Sequence, residues 1–444
     1  MIPARSERFL DVPRRSGCIR IDLDRVAGKK TGRKPRTALA AFPVGHVVAK
    51  KIHVMPARPL SVSYTRDMRQ PHTHLGVLLL VLLAAAVPVA AGTLDPQPGF
   101  EEFNPDAAVR PDGEALLTWT RQQEPGGPRT AMAATLDPNS GQLGEIHEWG
   151  PGGTEETVAL GSGYLAVRSN VDATLEWFVQ HLDDSGRPAG EALSLGFGFI
   201  VKASVHPTPD GGALVIAAGV GGVGGPVQAW RFDSDGDLLS GPTVLADNSS
   251  DAAAGVDAAG NVVLVWNPTR APHSAQPPLS ARRFSPALQP LGPVLEVSPS
   301  GGGGIRVAIA PDGRFVVVFT QSRRLHFRAY RADGSPLGGK RAFSVGSEGV
   351  TPEDLDLAVG EDGRILVVWK CYENFSTPVI RARGLSFDGR AVPKSLLARV
   401  KFGRGEVLRP SVEALPGGDF LVLWSRVRAD GETITLESRR VPGR

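Results

Sequence analysis

The sequence predicts an all-β fold, a seven-bladed β-propeller built from four-stranded antiparallel blades. Three observations support this prediction. A turn followed by an apolar strand recurs seven times, with about 50 residues from one copy to the next. The chain has 53 glycines and 37 prolines, which together make about a fifth of its 444 residues, as turn-rich β folds require. The two ends of the repeat region resemble complementary parts of one repeat, which a closed ring would need.

The repeat is clearest where a Gly-containing turn leads into an apolar strand that ends in an aromatic residue. Five copies read PDGEALLTW (Pro111–Trp119), AAGNVVLVW (Ala258–Trp266), PDGRFVVVF (Pro311–Phe319), EDGRILVVW (Glu361–Trp369) and PGGDFLVLW (Pro416–Trp424). Two weaker copies read GSGYLAVRS (Gly161–Ser169) and PDGGALVIA (Pro209–Ala217). The turn glycines are Gly113, Gly163, Gly211, Gly260, Gly313, Gly363 and Gly417. One period repeated seven times indicates one repeated structural unit.

Each unit has the composition of four strands. A short alternating strand such as Val307–Ile309 precedes the turn, and Asp-Gly suits the backbone of a tight hairpin. The apolar strand follows, and its nearly continuous Val, Leu and Ile content indicates burial on both faces. A third strand, a second polar turn such as FDSDG or RADG, and a more polar fourth strand complete the unit. Four antiparallel strands in about 50 residues form one propeller blade.

The aromatic residue that ends the apolar strand is predicted to be structural. Its fixed place in the repeat is typical of a wedge between stacked blades, where a large side chain would bury roughly 150–250 Å². The residues assigned to this role are Trp119, Trp266, Phe319, Trp369 and Trp424.

The two ends of the repeat region predict closure of the ring. The last unit stops after a third strand at Thr433–Ser438. The segment TLDPQPGFEEF (Thr93–Phe103) resembles the second turn and fourth strand of the first unit, TLDPNSGQLGEI (Thr135–Ile146). We therefore expect the N-terminal strand of the mature chain, Gly99–Phe103, to complete the seventh blade and cover its edge. A string of β-sandwich domains or a solenoid are the competing folds.

The domain prediction has three parts. Residues 1–67 are expected to be a disordered leader and a start-site artefact. Residues 68–91 read as a signal peptide, with an uncharged apolar run from Leu75 to Val87 and small residues at Val89 and Ala91. Residues 92–444 form the propeller, which is predicted to be secreted or periplasmic, with no stable membrane span after cleavage. The alternative is an uncleaved signal anchor that tethers the protein to the membrane.

The charge is divided unevenly along the chain. Residues 1–67 hold 15 Lys and Arg against 5 Asp and Glu, whereas residues 92–444 hold 33 against 41. The folded part is thus mildly acidic, which argues against nucleic acid as a partner.

Candidate chemistry is sparse. Asp233, Asp235 and Asp237 have the alternation of a calcium loop, although the same residues suit a polar hairpin turn. We predict no other cofactor. No phosphate-binding loop, nucleophile elbow or HExxH motif is present in the sequence, and catalytic residues are left unassigned. Acid and base groups from different blades could still converge on the propeller axis, which sequence spacing does not show.

The repeats resemble those of secreted bacterial seven-bladed β-propeller proteins, a family without an assigned activity, whose units read Pro-x-Val-Ala, Asp-Gly, apolar strand, Trp and Phe-Asp-x-Asp-Gly-x-Pro. The resemblance covers Thr93 to Arg444, and its motifs describe architecture. It implies a scaffold and leaves the function open.

The sequence favours a non-catalytic extracytoplasmic binding module. Its partner would be a protein or a glycan, held by variable loops such as Asn267–Pro278 and Lys370–Pro378, and the protein would be a monomer. One alternative is a glycan-active enzyme, a glycoside hydrolase or lyase, with an axial pocket. Another is a structural component of a surface assembly.

Overall fold

The computed structural model divides the chain into two compact units, Met1–Leu83 and Ala84–Arg444. It describes residues 9–14, 17–22, 92–94, 100–123, 126–170, 176–197, 200, 202–221, 224–269, 277–343, 352–373, 377–387, 407–427 and 434–443. In the first unit, β1 (Phe9–Arg14) and β2 (Gly17–Asp22) form an antiparallel hairpin in which Phe9 pairs with Asp22. The predicted signal peptide and the rest of the leader lie outside the described residues, so those assignments stay predictions.

The second unit is a ring of seven antiparallel sheets. In blades one to six the strands pair in chain order, whereas in blade seven the N-terminal strand is added at the outer edge. The strands of blades one to three are β4 (Glu101–Val109), β5 (Ala115–Gln122), β6 (Arg129–Leu136), β7 (His147–Pro151), β8 (Gly153–Ala159), β9 (Tyr164–Asn170), β10 (Glu176–Leu182), β11 (Leu193–Phe197), β12 (Lys202–Pro207), β13 (Ala213–Ala218), β14 (Val227–Phe232) and β15 (Leu238–Ala246). Those of blades four and five are β16 (Asp251–Val256), β17 (Val262–Asn267), β18 (Leu279–Phe284), β19 (Leu295–Ser298), β20 (Gly303–Ile309), β21 (Phe315–Gln321), β22 (Arg324–Tyr330) and β23 (Arg341–Phe343).

Blades six and seven complete the ring. The strands of blade six are β24 (Glu353–Val359), β25 (Arg364–Glu373) and β26 (Thr377–Ser386), and those of blade seven are β27 (Val407–Ala414), β28 (Phe420–Val427), β29 (Ile434–Val441) and the N-terminal β3 (Gly92–Leu94). Residues 388–406, where the sequence predicts the fourth strand of blade six, lie outside the described part. The first strand of every blade contacts the first strand of the next, from β4 through β27 and back to β4. The predicted seven-bladed propeller is confirmed.

The N-terminal closure is confirmed, but the strand predicted to make it was wrong. Leu94 pairs with Leu436 and Thr93 with Glu437, so Gly92–Leu94 is the fourth strand of blade seven. Residues Glu101–Phe103 belong instead to the innermost strand of blade one, where Glu101 pairs with Gln122. The reason is a β-bulge between Phe103 and Asp106, which extends β4 beyond the length of the repeat's first strand.

The predicted turns join the first and second strands of each blade. At Gly113 the backbone has φ of 93°, a left-handed conformation in which a Cβ is unfavourable. In blade seven the equivalent turn position belongs to Gly418, since its N–H donates to the Leu415 carbonyl as that of Gly113 donates to Arg110. The sequence-based choice of Gly417 is therefore displaced by one residue.

Apolar side chains fill the space between blades. Among the described residues, seven buried clusters each join two neighbouring blades. Strand β21 shows why its sequence is continuously apolar: Val317 and Phe319 pack towards blade four, whereas Val316 and Val318 pack towards blade six. Both faces of each blade are thus withdrawn from water, which is the main favourable term in folding.

Blade two lacks the aromatic at the end of its second strand, where Ser169 stands. Trp149 of blade one and Trp177 of blade two fill the two neighbouring interfaces instead. No helix among the described residues is long and apolar enough to cross a membrane.

Candidate functional site

Charged residues interrupt the first strands of the blades at one equivalent position. This axial position lies seven residues before the turn glycine, and its occupants are Asp106, Glu156, Ser204, Ala253, Arg306, Asp356 and Ser411 in blades one to seven. Two further sets lie two residues away on the same strand face, since side chains alternate along a strand. Lys202 and Asp251 lie on one side, and His206 and Glu413 lie on the other.

The axial residues line two cavities. The larger, which we name the turn-side cavity, measures about 890 Å³ and reaches Arg110 and Pro111 at the first turn of blade one. The smaller, the bulge-side cavity, measures about 380 Å³ and reaches Asn104 and Arg409. Five charged residues line both cavities and are named the waist: Glu156, Lys202, Arg306, Asp356 and Glu413.

The bulge-side cavity takes its shape from repeated β-bulges. The first strands of blades one, five, six and seven each carry a bulge just before the axial position. The residues there, Asn104, Gly304, Asp354 and Arg409, have left-handed φ angles of 53°, 55°, 47° and 36°, and all four line this cavity. Bulges redirect side chains and commonly occur at the rims of barrels and near functional sites.

Three axial carboxylates hold neighbouring blades together. The backbone N–H of Thr157 donates to Asp106 Oδ2 at 2.7 Å, and that of Val412 donates to Asp356 Oδ2 at 3.0 Å. The N–H of Val205 donates to Glu156 Oε2 at 3.3 Å. An innermost strand is the edge of its sheet, and its unpaired N–H groups need acceptors. These carboxylates therefore have a structural role as well as a place in the cavity wall.

The cationic side chains of the waist are also held. Arg306 Nε donates to Asp356 Oδ1 at 3.1 Å, and Arg306 Nη1 donates to its own strand's Ile305 carbonyl at 3.0 Å. Lys202 Nζ reaches the same carbonyl at 3.4 Å. Asp251 accepts from the Ile305 N–H at 3.4 Å. Blades three to six are thereby connected through polar contacts around Ile305.

Three carboxyl groups of the axis, Asp106, Glu156 and Glu413, have raised pKa values and retain protons more strongly than usual. Burial, reinforced by Glu156 and Asp356, raises the pKa of Asp106 well above its ordinary value. Burial, followed by the charges of Asp106, Asp356 and Glu156, does the same to the pKa of Glu413. Burial raises the pKa of Glu156 to about 7, although Arg306 opposes the shift.

The pKa values of two basic groups, Lys202 and His206, shift in the opposite direction. Burial, with the charge of Arg306, lowers the pKa of Lys202 to about 8. Burial, with Lys202 and Arg306, lowers the pKa of His206 to about 4, so its imidazole is neutral at pH 7. His206 Nε2 lies 3.0 Å from the Ser204 hydroxyl, which gives the neutral ring a hydrogen-bond partner. Glu156 and Lys202 thus both titrate near neutral pH, which is frequent at functional sites.

The residues predicted from sequence lie elsewhere. Asp233 Oδ1 accepts the N–H groups of Asp235 at 3.0 Å and Asp237 at 2.8 Å, so it closes the polar hairpin turn of blade three. Within the described ranges, no three histidine, cysteine, aspartate or glutamate side chains are arranged to hold a metal ion. Calcium at this turn stays a prediction for a metal titration.

The five aromatic residues assigned a structural role are buried between blades. Trp119, Phe319 and Trp424 are fully buried, and Trp266 and Trp369 nearly so. Of the two loops proposed as contact surfaces, residues 270–276 and 374–376 lie outside the described part.

The axial residues were not identified from sequence. Each is a single charged side chain in a strand, and about 50 residues separate it from its neighbour in space. Aligning the seven repeats on their turn glycines would have shown Asp106, Glu156, Arg306 and Asp356 at one position inside otherwise apolar strands.

No family model matches the chain, and no curated protein matches it. Among solved structures, the chain is similar to a protein of unknown function from Dyadobacter fermentans, at 14% identity and a TM-score of 0.45 over 80% of this chain and 99% of that one. It is also similar to the β-propeller domain of the Trilobed protease from Pyrococcus furiosus, at 9% identity and a TM-score of 0.47 over 78% and 94% of the two chains. A protein from Lactobacillus plantarum is similar at 16% identity and a TM-score of 0.43, over 65% and 83%. These likenesses concern the fold alone.

Proposed function

We propose that this chain is a non-catalytic, extracytoplasmic binding module that holds a small polar ligand in its axial cavity. The observation that carries the proposal is the waist, where charged side chains from five blades converge in a cavity of about 890 Å³. Small-molecule sites usually measure about 300–1,000 Å³ and combine apolar walls with a few placed polar groups.

The polar groups of the waist other than Glu413 are held in place before any ligand arrives. Asp356 is fixed by Val412 and Arg306, and Glu156 by Val205. A rigid site loses less conformational entropy on binding, which favours affinity. The extracytoplasmic location is supported by the signal-peptide pattern of residues 68–91.

The test is a thermal-shift panel on the full chain with sugars, peptidoglycan fragments, amino acids, amines and Ca²⁺. A ligand at 100-fold its Kd stabilises the folded state by about 2.7 kcal/mol. We expect at least one compound to raise the Tm of the wild type. The shift should be lost in Val158→Trp, which places a large side chain inside the turn-side cavity, and kept in Val294→Trp, at a residue that is 50% exposed.

A shift that survives in Val158→Trp would place the ligand outside the axis, at the loops or the polar turns. A flat panel would oppose a small-molecule ligand and favour a protein partner, to be isolated from the cell envelope.

A second function, glycan-active enzyme, is favoured by one specific observation. Glu413 and Glu156 share one cavity, and burial raises the pKa of both, as a general acid requires. The test is incubation with an oligosaccharide library and detection of new reducing or unsaturated ends. Turnover that disappears in Glu413→Gln would establish the enzyme, and binding without turnover would support the binding module.

A further inference from the structure

The turn-side cavity has apolar walls above a charged floor. Val158, Val256, Ile309 and Val359 line its walls, and they come from blades two, four, five and six. The floor is the waist. This division suits a ligand with a compact apolar body and one ionic or strongly polar head.

The charges around the waist are unbalanced. Eight carboxyl groups line the two cavities against four cationic groups: Asp106, Asp112, Glu155, Glu156, Asp251, Asp354, Asp356 and Glu413 against Arg110, Lys202, Arg306 and Arg409. Arg306 is already paired with Asp356. Blades seven, one and two contribute Glu413, Asp106 and Glu156 to this region, whereas the cations of blades seven and one, Arg409 and Arg110, each line only one of the two cavities. A positive group on the ligand would meet this carboxyl-rich side of the axis, and its charge would favour the ionised form of the carboxyl that it contacts.

Glu413 differs from the other carboxyl groups of the waist because, among the residues that the structure describes, its side chain does not connect one blade to the next. Asp106, Glu156 and Asp356 each accept a backbone N–H from the next blade. In the described part of the chain, the side chain of Glu413 makes no hydrogen bond or ion pair, whereas its backbone pairs with Leu421 in the sheet. Burial and the three neighbouring carboxylates raise its pKa, which shows that its negative form lacks a stabilising partner.

The hydroxyl of Ser411, close to Glu413 in the same strand, also lacks a hydrogen-bond partner among the described residues. Ser411 lies two residues before Glu413 on β27, on the same face of the strand, and lines the bulge-side cavity. Its side chain is 8% exposed, and its Oγ has no partner among the described residues. A buried hydroxyl without a partner is uncommon in folded proteins, and a ligand donor would satisfy it.

We propose that the axial cavity binds an organic cation, a primary amine on a compact apolar body, with the ammonium group against Glu413 and the body against the turn-side walls. The inference rests on the proposed function, because it needs the axis to be the binding site. An ammonium group supplies three N–H donors and a charge, whereas a sugar or a neutral amide supplies no charge.

The test is calorimetric titration of the full chain with three probes of matched size: phenethylamine, phenethyl alcohol and hydrocinnamate. A charge-assisted hydrogen bond in such a site corresponds to roughly a tenfold to hundredfold difference in Kd. We expect phenethylamine to bind at least tenfold more tightly than the alcohol or the carboxylate. Glu413→Gln should abolish that preference, and Glu148→Gln, an exposed carboxyl outside both cavities, should leave it unchanged.

The comparison of probes on the wild type tests the inference even if Glu413→Gln does not fold. Equal affinity for the three probes would overturn it, and so would an unchanged preference in folded Glu413→Gln. Ca²⁺ binding that depends on Glu413, without amine binding, would replace the organic cation by a metal. Where a sugar or peptide fragment then still stabilises the wild type and not Val158→Trp, the proposal of an axial binding module stands, and the proposal that its ligand is an organic cation fails. If Val158→Trp affects no ligand, both proposals fail.

Discussion

The interfaces between blades and the waist of the axis use the same inner strands for opposite purposes. In β20, Val307 packs towards blade four and Ala308 towards blade six, whereas Arg306 lines the cavity. The second strand of every blade, which packs between its neighbours, holds at least three consecutive buried apolar residues. The axial position holds an acid, a base, a hydroxyl or Ala253 according to the blade. The architecture therefore depends on what the repeats share, and the chemistry depends on where they differ.

The largest effect is expected at an interface. Trp369→Ala leaves a cavity between blades five and six, because Trp369 is 4% exposed and packs against residues of both. We expect a loss of about 3–5 kcal/mol in the free energy of unfolding, measured by urea denaturation. Leu239→Ala, at a side chain that is 55% exposed, is the control and should change stability by less than about 0.5 kcal/mol. A loss below about 1 kcal/mol for Trp369→Ala would mean that the interfaces are not the main source of stability.

The closing strand should come next. Leu94 is 2% exposed and belongs to the cluster between blades seven and one. Leu94→Ala should cost about 2–3 kcal/mol, at the lower end for a buried leucine, because a three-residue strand at the rim can adjust. Denaturant melts of the variant measure the loss. A stability equal to that of the wild type would show that the ring holds without its N-terminal strand.

A change at the waist should have a smaller effect on stability. Asp356→Asn removes the charge that pairs with Arg306 and weakens the bond from the Val412 N–H. We expect a loss of about 1–2 kcal/mol in a urea melt. Asp312→Asn, at an exposed pair with Arg314, is the matched control and should cost less than about 0.5 kcal/mol. Equal losses in the two variants would remove the distinction between the axis and the surface.

The smallest effect is expected in the pH dependence of stability, for which the direction of the change can also be predicted. The pKa of Glu156 rises from 4.5 to about 7 on folding, so the folded state binds the extra proton. Stability from this group is present below pH 4.5 and is lost as the pH rises towards about 7. Glu156→Gln should therefore gain stability relative to the wild type over that range, by less than about 1 kcal/mol because neighbouring carboxyls share the proton.

The contribution of His206 to stability should change with pH in the opposite direction to that of Glu156. Its pKa falls from 6.5 to about 4 on folding, so its contribution is present above pH 6.5 and is lost as the pH falls. His206→Gln should thus lose stability relative to the wild type as the pH rises from about 4 to 6.5. Parallel curves for the two variants would contradict the assignment of both groups to the buried turn-side cavity.

The sequence predicted the ring because packing leaves a local and periodic signal. Apolar runs such as Val316–Phe319 and turns such as that at Gly113 recur in every blade. The closing strand was misassigned because β4 continues through the bulge before Asp106, and Asn104, whose residue type favours the left-handed backbone found there, was not recognised as a mark of the bulge. The waist was missed because its residues come together only when the ring closes, and a single Arg306 or Glu413 in a strand reads as an exposed residue.

The pairing of Leu94 with Leu436 sets an order of events during synthesis. More than three hundred residues separate the two partners, which makes this among the most non-local contacts in the chain. At about 5–20 residues per second, translation needs tens of seconds to reach the second partner after the first. For that time the first strand of the ring has no blade to join, and the finished blades carry an open edge. Chaperone dependence should therefore be greatest late in synthesis, before the C-terminal strand arrives.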